Sequence, residues 1–167
     1  NNFGPGTQEK FRKRWPNGIR QQTKSATHTS NVYGIIQGAL WCKGYSTGAD
    51  DITKHFYAGT GSAVKELKLD IGIGGDSTVD LGIMRALLSM QQFKLLKEYG
   101  GDLAVRVVQQ EINREYRDYT GIIPADGVYG REMNTALIEI LQAIEGFSPD
   151  EATGTFGPGT RGRLLTI

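Results

Sequence analysis

The residues best suited to acid–base chemistry are the neighbouring carboxylates Asp50/Asp51, Glu111/Glu115 and Glu139/Glu145. A retaining glycosidase holds its two carboxyls ~5 Å apart in a cleft. Glu111 and Glu115 stand one helical turn apart, but Arg114 and Arg117 beside them make that face a solvated one. His28 and His55 lack Cys or acidic companions at metal-ligand spacing, so a zinc site is not supported. Gly72-x-Gly74-Gly75 has neither a preceding strand nor a following Lys-Ser/Thr, as a phosphate loop would. The single cysteine, Cys42, falls in a helical pattern with no His partner and reads as inert. The sequence therefore predicts no catalytic residues, no metal and no cofactor.

The elements around these residues are helical. Val32, Ile35, Ile36, Ala39 and Leu40 form the stripe of a core-facing helix, with Ser30 or Asn31 as N-cap and Gly44 as the stop. Ala63, Val64, Leu67 and Ile71 repeat the stripe up to Gly72. Val105, Val108, Ile112 and Tyr116 follow Gly101 and Asp102, and Leu137, Ile140, Leu141 and Ile144 end at Gly146. Shorter helices are predicted over 81–90 and 160–166, and strand-like alternation is almost absent. The expected fold class is mainly α.

Composition narrows the classes further. Glycine supplies 23 of 167 residues, about twice the usual ~7%, which calls for many tight turns between short elements. A net charge of +1 with 9% aromatic residues points away from nucleic-acid binding and from disorder. No apolar run approaches the ~20 residues of a membrane span, and no signal-like segment opens the chain. The first residue is Asn, so a processed or excised piece is expected. Residues 1–30 hold six cations against the single acid Glu9, a basic opening that could meet anionic polymers. Residues 16–30 are polar and patternless and read as a linker.

The order of elements repeats. Gln37 and Gln109 follow Ile36 and Val108 at an offset of 72, as do Leu40 and Ile112, while Phe56 and Tyr129 are 73 apart. Two units of about 70 residues fit these offsets. Phe-Gly-Pro-Gly-Thr occurs at Phe3–Thr7 and again at Phe156–Thr160, as if the chain were cut from a longer array. In this element Pro favours a helix start, Thr is expected to cap the helix, and Phe is expected to anchor the turn in the core.

Ile36-Gln37-x-x-Leu40-x-x-x-Gly44-Tyr45, then Phe56-Tyr-Ala-Gly-Thr60-Gly-Ser-Ala63-Val64 and Gly72-Ile73, resembles the three-helix peptidoglycan-binding domain of bacterial cell-wall hydrolases. Asp76–Leu88 matches the third helix of that pattern. Val108-Gln109-x-x-Ile112, Asp126-Gly127-Val128-Tyr129-Gly130 and Ala136-Leu137 carry the resemblance through a second unit. Tyr57-Ala58 in place of Gly-Pro, Met133 in place of Thr and Tyr116 in place of Gly depart from the pattern.

The resemblance implies tandem units over 31–98 and 99–167, with 1–15 the remnant of a preceding one. It implies non-catalytic attachment to peptidoglycan or another wall glycan, on behalf of a linked hydrolase and at an extracellular or cell-wall location. Aromatic faces for sugar rings and polar groups for acetamido and peptide arms point to Tyr45, His55 and Tyr57 in the first unit. In the second they point to Tyr119, Asp126, Tyr129 and Arg131. Trp41 lies off its helix stripe and is either a ligand-facing ring or an inter-unit contact, whereas Trp15 reads as packing. Anionic wall polymers are a second expected partner, through the basic opening segment. A structural or protein-interaction spacer in a secreted or particle-borne assembly is the alternative reading.

Overall fold

The computed structural model describes residues 3–23, 28–88 and 96–164. Residues 24–27 of the expected linker and the ends of the helices expected over 81–90 and 160–166 lie outside the described residues. Eight helices are described: α1 (Pro5–Arg14), α2 (Asn31–Cys42), α3 (Ala58–Asp70), α4 (Leu81–Leu87), α5 (Leu103–Glu115), α6 (Arg117–Thr120), α7 (Arg131–Ile144) and α8 (Pro158–Leu164). Extended pairing among the described residues is one bridge, Ile19 with Val79. The fold is mainly α, and no described helix is long and apolar enough to cross a membrane.

Caps set the starts of several helices. Ser30 accepts from the Val32 amide at the head of α2. Asp80 accepts from Ile83 at α4, and Asp102 from Ala104 and Val105 at α5. α2, α3 and α4 then enclose a core of Ile36, Leu40, Phe56, Val64, Leu67 and Ile83, none of them exposed. α1 joins it through Phe11, whose ring lies 5.1 Å from that of Trp15. The stretch expected to be a linker carries an anchor as well. Ile19 is 2% exposed and exchanges two backbone hydrogen bonds with Val79. A lone apolar residue between polar neighbours has no periodicity to reveal it, so only the packing shows that this segment is docked.

The part of the chain after residue 98 is built differently. Its apolar core is Ile112, Ile123, Met133 and Ala136, with Tyr116 and Ile140 against it. The stripe expected on α5 is displaced, because Val108 is exposed while Arg106, Gln109 and Asn113 are buried beside Ile112. Polar residues of α5 join it to the end of α3. Arg106 pairs with Asp70 at 3.2 Å and donates to the Leu96 carbonyl. Gln110 donates to Asp70 O and Asn113 to Ile71 O, both at the end of α3. Gly72 (φ 89°) completes the joint, since a Cβ there would come within 2.5 Å of Gln110 O. On α7 the expected stripe is likewise only partly inward, with Leu137 and Ile144 exposed.

Candidate ligand-binding site

Three buried glutamines shape the loops. Gln37 Nε2 donates to Thr53 Oγ1, His55 O and Thr60 Oγ1, while its Oε1 accepts from the Lys54 amide. Gln109 donates to Asp126 Oδ1 and Val128 O and accepts from Gly127 N. Gln142 donates to Thr155 O and Thr160 Oγ1 and accepts from Gly154 N. One side-chain amide thus replaces the missing backbone partners of a loop, which a buried loop requires. The residue whose amide is taken has positive φ each time: Lys54 at 59°, Gly127 at 74° and Gly154 at 64°. Sequence offsets reveal the first two glutamines. The third was available as Leu141-Gln142 ahead of the Thr153–Thr160 turn, but its shorter spacing breaks the offset.

Lys54 is the non-glycine member of this set. Left-handed backbone costs a residue with a Cβ ~1–2 kcal/mol, and glycine returns part of that as unfolded-state entropy. Lys54→Gly is therefore expected to stabilise the chain by ~0.5–1 kcal/mol, read as a rise in thermal unfolding midpoint. An unchanged or lower midpoint would contradict the strain.

The Phe-Gly-Pro-Gly-Thr turn differs from expectation in two respects. Thr160 is 2% exposed and lies inside α8, where its hydroxyl accepts from Gln142 rather than capping the helix. Thr60 does the same for Gln37, and Met133 removes this link from the Gln109 loop. Phe156 is 53% exposed and is not a core anchor. Apart from Thr160, α8 (PGTRGRL) contributes nothing buried.

The seven candidate ligand residues separate by environment. Tyr45 is 1% exposed, with its hydroxyl donating to Asp70 Oδ2 at 2.6 Å. Burial and then the Asp70 carboxylate push that phenol well above its usual range. It belongs to the inter-unit joint, not to a surface, because Asp70 draws its hydroxyl inward. Tyr119 donates to Phe147 O, and Asp126 is occupied by Gln109 and by the Val128 amide. His55 and Tyr57 stack 4.7 Å apart at 9° on the first loop, half-buried, with His55 Nδ1 buried and unpartnered. Tyr129 is 62% exposed on the second loop, two residues before the exposed Arg131. The structure therefore supplies two separate aromatic loop sites. Trp41 is half-buried and its indole donates to Thr47 Oγ1 at 2.9 Å.

A groove of about 1120 Å³ runs between α1 and α4 on one side and α6 and α7 on the other, and was not legible in the sequence. Its walls include Trp15, Arg85, Arg131, Glu132 and Glu139. Burial raises the Glu139 carboxyl, and burial followed by the Asp126 charge raises Glu132. Asp76 at the same groove behaves oppositely. The Thr78 hydroxyl and amide, then the Lys68 ammonium, hold it down to about 2. Glu111 and Glu115 lie elsewhere, both paired with Arg114 as solvated surface charges.

Residues 98–166 match the family described as FadG/YbfG, PGDB-like domain. The whole chain is similar to two curated proteins of Bacillus subtilis (strain 168). It is 45% identical over 167 residues to the uncharacterized protein YbfG, covering 99% of this chain and 21% of that protein. To the uncharacterized protein FadG it is 38% identical over 168 residues, covering 99% of this chain and 27% of that protein. The chain thus spans between a fifth and just over a quarter of the length of these relatives. No solved structure matches it. The mainly helical second unit is thereby similar to a PGDB-like domain, which points to a peptidoglycan-binding-like fold.

Proposed function

We propose that this chain is a non-catalytic module that attaches to the peptidoglycan of the bacterial cell wall. In this reading it works outside the cell, in tandem units, and raises the local concentration of a linked hydrolase at its substrate. The observation that carries the reading is the pair of prebuilt loops that hold aromatic groups outward: the His55–Tyr57 stack and the exposed Tyr129 beside Arg131. Rings fixed in advance lose little freedom on meeting a sugar face, so little binding energy is spent on ordering. Two weak loop sites on one body then gain through effective concentration. The similarity of residues 98–166 to a PGDB-like domain supports the same reading. A spacer or protein-interaction role is favoured by a different observation, the exposed Leu103, Val107 and Ile144 of the second unit.

Sedimentation with purified wall sacculi separates these readings. The chain is expected to co-sediment, and to do so still after anionic polymers are stripped from the wall. A Tyr57→Ala/Tyr129→Ala double variant is expected to remain in the supernatant. Binding that vanishes on stripping and weakens steeply with salt would instead assign attachment to the basic opening segment, because exposed charges are screened over ~10 Å at 0.1 M. No sedimentation under any condition would favour the spacer.

A further inference from the structure

The groove wall includes charged groups that make no bond within the protein. Glu132 and Glu139 stand seven residues apart on α7 and so share one face. Both are half-buried, and among the described residues neither carboxylate has a hydrogen-bond or ion-pair partner. Arg85 on α4, Arg117 on α6 and Arg131 on α7 line the same groove, and their side chains likewise have no partner among the described residues. Where acids and bases of this chain are placed to meet, they do so, as Lys68 and Asp76 show within this groove. The unsatisfied set is therefore held apart by its helices. Burial removes part of the water from both carboxylates, as their raised protonation shows, and leaves their oxygens open to a ligand in the groove. Trp15, half-buried, adds an aromatic surface to the wall.

We propose that this groove is the seat of a linear glycan strand, with Glu132 and Glu139 accepting from sugar hydroxyls and the arginines donating to ring, acetamido or carboxylate oxygens. The volume of about 1120 Å³ exceeds the ~300–1,000 Å³ of ordinary small-molecule sites, which favours an oligomer over a single small metabolite. Separate carboxylate and guanidinium groups suit a ligand that offers both donors and acceptors along its length, as a polyhydroxy chain does. The nature of the ligand rests on the wall-binding reading above. The place is new, and it shares only Arg131 with the loop sites.

The test is a titration of the whole chain with the N-acetylglucosamine hexamer, followed on the two tryptophan indole N–H resonances. Trp15 is expected to shift, while Trp41, committed to Thr47, stays still. Glu132→Gln/Glu139→Gln is expected to weaken hexamer binding at least tenfold without lowering the thermal midpoint. Arg117→Gln, on an exposed side chain, is expected to weaken it with the fold intact. Shifts confined to residues 53–57 and Trp41, or full affinity in the double variant, would overturn the proposal. If sacculi bind the double variant as they bind the parent and the hexamer leaves Trp15 unmoved, the groove fails while wall binding stands. If the parent ignores sacculi but the hexamer moves Trp15, wall binding fails and the groove stands as a glycan site.

Discussion

Phe56→Ala is expected to destabilise the chain by about 3–5 kcal/mol, whereas Phe156→Ala is expected to change stability by no more than ~0.5 kcal/mol. The two rings occupy matching places ahead of a Thr-bearing helix, yet Phe56 is fully buried and Phe156 is 53% exposed. Phe56 is met edge-on by Tyr33 at 6.0 Å and belongs to the core formed by α2, α3 and α4. Truncation there removes the transfer free energy of a ring and leaves a cavity that rigid helices cannot fill. Denaturant unfolding of both variants measures the difference directly. Similar losses for the two would contradict the assigned environments.

Gln37→Leu is the second large effect, with an expected loss of about 2–4 kcal/mol. The amide makes four hydrogen bonds, to Thr53 Oγ1, His55 O, Thr60 Oγ1 and the Lys54 amide, from a position 2% exposed. Leucine matches the volume but leaves the loop groups unpaired and, in part, out of reach of water. Gln142→Leu removes a similar set, with Thr153 exposed like Thr53 and Thr160 buried like Thr60, so a loss of about the same size is expected there. The Gln37 variant should also lose protection of the Lys54 amide in hydrogen exchange before global unfolding. Retained protection would mean that the loop is held by something other than the glutamine.

These two substitutions separate what was legible along the chain from what was not. The helical stripes of α2 and α3 were readable because most of their apolar residues face one core, Ile35 at 51% exposed being the exception, and an apolar face must recur at the period of the helix. The glutamines of the first two loops were readable as an offset of 72 residues, since a side chain that satisfies a loop keeps its distance from that loop. The mainly helical class followed from the same periodicities.

Other features belong to the tertiary structure alone. Arg106 and Asn113 turned inward on α5 because the end of α3 offers Asp70 and a backbone carbonyl to bond, and Gln109 because its own loop takes its amide; periodicity of apolar residues is blind to a polar packing face. Tyr45 left the candidate ligand set for the same reason, as Asp70 holds its hydroxyl beneath the surface. Ile19 became an anchor through a partner 60 residues away, and Phe156 stayed outside just ahead of a helix that buries Thr160 but neither Pro158 nor Leu164. The groove, finally, exists only as the space between two bodies. The sequence by itself determined helices, loops and a repeat, because these depend on neighbours within a few turns. That Tyr45 lies beneath the surface, and which acids face the groove, was decided by how elements far apart in the chain pack together.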